Sequence, residues 1–321
     1  TTTTDFTNTS AIASGSWVMY GLISKATGIE CSGTSTGIAF GLLGSSLDSQ
    51  YDFGAQEIEA NDVTFNTDGT KMYIIGSQGR GIDQFTLTTA WDIAGTVTYN
   101  GFYSVASQTT GPQSLAFNND GTKVYVLGAQ KLFQYTLTTA FDITGSVTYN
   151  GQFHVGGQET QPIGLAFSTD GTKMYIVGRT GDDVNQYTLT TAFNALGTVT
   201  HNGVYSIAGQ ETSPEDVTFN TDGTKMYVVG ATGDDVNQFT LTTAWDILGT
   251  VTYNGAFVVG SATIVPKGVA FSADGTKMYL THTRYVDQYT LAATFNVLGA
   301  TSLEGNFSLA GQEVTPKGVA I

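Results

Sequence analysis

Two pairs of residues at the starts of repeated strands are best placed to do chemistry: Asn61 with Asp62, and Glu215 with Asp216. Carboxylates grouped in this way can hold a divalent cation, or serve as acid and base in a hydrolysis or an elimination. Arg179 and Arg284 fall near them in the repeat pattern and could steady a developing negative charge. Asp62, Glu215 and Asp216 have no His or Cys companions at ligand spacing, so the sequence implies no cofactor and no transition metal; calcium at these three carboxylates is the weak exception. His154, His201 and His282 lie in three different repeats, and no Gly-x-Ser-x-Gly elbow accompanies them, so no nucleophilic triad is implied. The pairs Asp182–Asp183 and Asp234–Asp235 are missing from the other repeats and read as solvated turn residues. A single cysteine, Cys31, rules out an intrachain disulfide and reads as a small buried side chain.

These residues are set in a repeat. Asp-Gly-Thr-Lys occurs at Asp68, Asp120, Asp170, Asp222 and Asp274, each copy 50 or 52 residues after the last. A Phe stands three residues before each Asp and a Tyr five after, from Phe65 and Tyr73 to Phe271 and Tyr279. Recurrence at every copy marks these aromatics as packing between units. Each unit reads as four short strands. Strand a is typified by 266–271, b by 225–230, c by 236–241 and d by 250–259. The a–b link is a tight hairpin, because Gly accepts positive φ and Asp bonds its own backbone. Four strands at a period near 50 define an all-β, β-propeller architecture.

The phase of the two ends predicts six blades. Ala39–Gly44 matches Ala192–Gly197, and Trp17–Gly21 reads as a strand b, so the N-terminal part supplies strands b, c and d of one blade. Pro316–Ile321 matches strand a and is expected to complete that blade, closing the ring of four-stranded antiparallel blades. On this reading residues 1–10 form a polar Thr-rich arm or linker and residues 11–321 a single propeller domain.

The run Phe-x-x-Asp-Gly-Thr-Lys-Met-Tyr, followed by Asp-Asp-Val-Asn-Gln-Tyr-Thr-Leu-Thr-Thr-Ala, resembles the YVTN-type propeller repeats. It is similar to the repeats of phage tail and virion proteins and of large bacterial surface proteins. The resemblance implies a virion, extracellular or cell-surface location and a structural or adhesive role, with other surface chains, further copies of itself, or a surface glycan or receptor as partners. Propellers also host lactonases, lyases and lectins, whose sites lie at the channel mouth.

Charge narrows the partners. The chain carries 27 Asp and Glu against 12 Lys and Arg, a net −15, which disfavours nucleic acid. No apolar run is long enough to span a membrane. Five basic residues are the repeated Lys71, Lys123, Lys173, Lys225 and Lys277 beside the a–b turns. The others fall at b–c loops or at the channel end of strand a. This points to a non-enzymatic binding face at Arg80, Lys131, Arg179, Arg284 and Tyr285, with Lys267 and Lys317 deeper in the mouth. The alternative is a lactonase- or lyase-like site at the channel carboxylates, or a lectin.

Overall fold

The computed structural model describes residues 47–259 and 265–298. Its strands form five four-stranded antiparallel sheets. Blade I is β2 (Ala60–Phe65), β3 (Lys71–Gly76), β4 (Gly81–Leu87) and β5 (Val97–Ser104). Blade II is β6 (Pro112–Phe117), β7 (Lys123–Gly128), β8 (Lys131–Leu137) and β9 (Val147–His154). Blade III is β10 (Pro162–Phe167), β11 (Lys173–Gly178), β12 (Asp183–Leu189) and β13 (Val199–Ser206). Blade IV is β14 (Pro214–Phe219), β15 (Lys225–Gly230), β16 (Asp235–Leu241) and β17 (Val251–Val258). Blade V takes β18 (Gly268–Phe271), β19 (Lys277–His282) and β20 (Tyr285–Thr290) from the last repeat, and its outer strand is β1 (Leu47–Asp52).

The ring therefore has five blades, not six, and the expected closure is corrected. Residues near 47–52 do form a d-type strand, in phase with the repeat, but β1 pairs with β20 of blade V, with Tyr51 opposite Val286. Repeat phase reports which strand type a segment is; it does not report which blade receives it. The aromatic pattern confirms the count. A strand-d aromatic of each blade meets a strand-c aromatic of the next: Tyr103 on Tyr135, Phe153 on Tyr187, Tyr205 on Phe239, Phe257 on Tyr289, and Tyr51 on Phe85 to complete the circle. The expected arm at 1–10, the strand near Trp17–Gly21 and the strand at Pro316–Ile321 lie outside the described residues.

Local chemistry explains each blade. In the a–b turn of blade I, Asp68 Oδ1 accepts from the Thr70 amide at 2.9 Å and the Thr70 hydroxyl at 2.6 Å, which hold its carboxyl below the usual range. Gly69 sits at φ 72° beneath the Trp91 ring, where a Cβ would come within 2.2 Å of ring atoms. The Trp91 amide in turn donates to Gly69 O at 2.9 Å. A clamp then joins each blade to the next. Tyr73 Oη and Lys71 Nζ both donate to Phe141 O, at 2.6 and 2.7 Å. The same pairing recurs from Tyr125 to Phe193, Tyr175 to Trp245 and Tyr227 to Phe295. The aromatics are thus inter-blade structure, as their recurrence implies, and so are Lys71, Lys123, Lys173 and Lys225. Five apolar clusters lie between successive blades, one per seam, with Val63, Met72 and Phe85 in the first.

Candidate functional site

The channel is lined by the five a strands. One level of it carries Asp62, Ser114, Gly164, Asp216 and Gly268, the same repeat position in blades I to V. Asp62 spans a seam: Oδ2 accepts from Ser114 Oγ at 2.7 Å and from the Leu115 amide at 2.9 Å, and Oδ1 from the Val63 amide at 2.7 Å. Asp216 reaches blade V, where Oδ2 accepts from the Val269 amide at 2.9 Å. Its Oδ1 has no hydrogen-bond partner, although the residue is 3% exposed. The two glycines make room. A Cβ at Gly268 would lie 2.8 Å from Asp62 Oδ1, and one at Gly164 2.7 Å from Asp216 Oδ1. Burial pushes the Asp62 carboxyl up to about 7 against its hydrogen bonds. Burial raises Asp216 well above the carboxylate range, and the Asp62 charge adds to the rise. These aspartates bound a cavity of about 270 Å³ that runs past Phe65 and Phe219 to the a–b turn side.

Glu215 does not join them as a ligand. It is 4% exposed and takes two cations, with Arg179 Nη2 on Oε1 and Lys267 Nζ on the same oxygen at 2.8 Å. Three sequence-predicted residues from blades III, IV and V thereby converge on one inter-blade ion pair. Arg284 pairs with Asp52 on the closing strand at 2.8 Å and lies over the Tyr285 ring, 5.2 Å from its centroid. Arg80 is exposed and Lys131 half-buried at b–c turns. Lys317 lies outside the described residues. Among the described residues no three His, Cys, Asp or Glu side chains gather as a metal-binding group.

A second cavity, of about 280 Å³, opens between blades V and I. Its walls include Ile58, Asn61, Ser77, Val265, Lys267 and His282. Asn61 Nδ2 donates to Ser77 Oγ and to Pro112 O, both at 2.8 Å. His282 is buried and its Nε2 lies 3.0 Å from Asp287 Oδ2, while Gln50 Nε2 of β1 donates to Asp287 Oδ1 at 2.7 Å. The repeat pattern alone puts His282 in a b–c loop; it is instead the last residue of β19. A signal for it exists in the sequence, because the same repeat position holds Gly76, Gly128, Gly178 and Gly230 in the other four blades.

Fold and cavities together define a five-bladed β-propeller. No protein-family model matches the chain. No curated protein matches it either. Of the resemblance read from the repeat, a β-propeller of repeated blades is what the structure shows. Among solved structures it is similar to a functionally unknown protein from Desulfotomaculum acetoxidans DSM 771, with TM-score 0.46 and 13% identity over 77% of this chain and 69% of that one. A chain of the nidogen/laminin complex gives TM-score 0.46 and 13% identity over 71% of this chain and 73% of that one. The periplasmic gluconolactonase of Pseudomonas aeruginosa gives 0.43 and 17%, over 63% and 55% respectively. At these identities the likeness is one of fold.

Proposed function

We propose that this propeller is a non-catalytic recognition module and that its contact surface is the face of the b–c and d–a loops, on a virion or cell surface, with a surface glycan or partner chain as ligand. The observation behind this reading is the asymmetry between the two faces. The a–b side presents five copies of one turn, each held by the same Asp and Thr bonds. The opposite side varies, with Arg80 in blade I, Gln130 and Lys131 in blade II, one shared turn at Thr180 and Thr232 in blades III and IV, and Arg284 with Tyr285 in blade V. Side chains that need not pack are free to be fitted to a ligand. The test uses side chains without a structural bond, exposed at Arg80, Thr67 and Thr221 and half-buried at Lys131. Arg80→Glu with Lys131→Glu should abolish binding to host cells or immobilised glycans; Thr67→Glu with Thr221→Glu, on the a–b side, should leave it intact. The reverse result places the contact on the wrong face.

A second reading, a lactonase- or lyase-like enzyme, is favoured by one observation: two buried carboxylates, Asp62 and Asp216, share a channel level, and both are raised by burial, Asp216 further by the Asp62 charge. Its test is hydrolysis of a sugar lactone by the wild type, lost in Asp216→Asn.

A further inference from the structure

One cavity gathers residues from positions that vary between blades, together with one exception at an otherwise constant glycine position. Ile58 stands where blades II to IV have Thr110, Thr160 and Thr212 and blade V has Ile264. Val265 stands where blades I to IV have Glu59, Gly111, Gln161 and Ser213. Lys267 replaces Asn61, Gln113, Ile163 and Glu215, and His282 replaces four glycines. All four residues line that cavity, between blades V and I.

Together these residues give the cavity an apolar wall and a polar rim. Ile58 and Val265 supply an apolar wall and remain 44% and 37% exposed. Asn61, Ser77 and Lys267 supply polar groups around it. His282 stands where three of the other blades seat a glutamate side chain, Glu57, Glu159 or Glu211, against a glycine, and Asp287 fixes its ring through Nε2. With Nε2–H donated to the Asp287 carboxylate, the neutral ring keeps Nδ1 as an acceptor. That nitrogen has no protein partner among the described residues. Thr283, also on the cavity, sits at φ 45°, a strained position for a β-branched residue. Lys267 also ties blade V to Glu215 of blade IV, whereas the other four seams are built without a histidine at the His282 position.

We propose that this cavity is a binding site for a single sugar residue. The volume of about 280 Å³ falls just below the range of drug-sized ligand pockets. A pyranose has one apolar face and a rim of hydroxyls, each both donor and acceptor. The apolar face would lie on Ile58 and Val265. The rim would meet His282 Nδ1 as acceptor, Lys267 as donor, and Asn61 Oδ1 and the Ser77 hydroxyl. Lys267 is already held by Glu215, and Glu59 also lines the cavity, so the site has no surplus of positive charge and suits a neutral sugar. The inference rests on the recognition reading and names its ligand class.

The probes are D-galactose, N-acetyl-D-glucosamine and D-glucuronate, titrated in turn into the whole chain and followed by amide chemical shifts. A neutral sugar should move the His282 and Ser77 resonances more than glucuronate does. His282→Gly restores the residue of the other four blades and is expected to fold; it should weaken binding about tenfold, the scale of one lost buried hydrogen bond. Ser77→Ala, which also removes the acceptor of Asn61 Nδ2 and should lower the melting temperature only slightly, should weaken it and gives a second readout should His282→Gly prove unstable. Cleft resonances that stay still with every sugar overturn the proposal. A His282→Gly protein that binds immobilised glycans as the wild type does overturns the cleft and leaves the recognition face standing. A wild type that binds neither immobilised glycan nor free sugar overturns both.

Discussion

The Tyr279 hydroxyl donates to the main-chain oxygen of Trp91 at 2.6 Å, across 188 residues of chain. It is the fifth member of the series that begins with Tyr73 and Phe141, and the one that joins the last blade to the first. The Ile93 amide, donating to Gln288 Oε1 at 3.0 Å, crosses the same seam and repeats a bond found between every other pair of blades.

Closure should therefore depend on this seam. Tyr279→Phe removes a buried bond and should cost about 1–2 kcal/mol. Removing the chain through Asp52 should do far more, because it bares the edge of β20. Calorimetry should show lower cooperativity, and size-exclusion chromatography should show association.

Glycine is required at the a–b turns for two reasons, positive φ and the ring above. Gly69→Ala should destabilise by about 1–3 kcal/mol. A Cβ at Gly157 would meet no other atom within 4 Å, and Gly157→Ala should be close to neutral. Urea unfolding of the two variants side by side checks the contrast.

Stability should fall as the pH rises through neutrality. Asp62 and Asp216 titrate higher in the folded protein than in the unfolded chain. Between the two values the folded state holds the extra protons, so their contribution is complete below about pH 4 and is lost as the pH passes about 7. For Asp62 alone the loss should be on the order of 4 kcal/mol. Asp68, Asp120, Asp170, Asp222 and Asp274 are shifted down and act in the opposite sense, losing their contribution in acid. Melting temperature should peak between these limits, and Asp62→Asn with Asp216→Asn should flatten its alkaline side.

The ion pair of Arg179 and Lys267 on Glu215 predicts an asymmetric pair of variants. Glu215→Gln leaves two cations without a counter-charge at a buried seam, and should cost about 1–3 kcal/mol. Arg179→Gln leaves Lys267 in place and should cost less. Thermal melts at low and high salt separate the two, because the residual repulsion in Glu215→Gln is relieved by screening.

Much of this is legible in the residues. Asp-Gly turns, the Phe and Tyr beside them and the repeated Lys reveal strand type and core, since each must recur wherever a blade packs on a blade. Asp62 and Asp216 can be named as channel residues from their place at the start of strand a. The blade count is not legible, because a strand near 47–52 has the phase of any strand d and only hydrogen bonding to β20 assigns it. Glu215 sits beside Asp216 in sequence, yet alternation along β14 sends it to Arg179 and Lys267 instead. His282 escapes notice when weighed as a histidine; it stands out only as the exception at a glycine position.

The borrowed outer strand has a consequence for how the propeller is held. Leu47 begins β1 and Leu298 lies in the c–d loop of blade V, so the described chain enters and leaves through one blade, at the end where the a–b turns lie. Tension between residues 47 and 298 would therefore unzip β1 from β20 pair by pair, beginning where Leu47 faces Tyr289, before it reached any other seam.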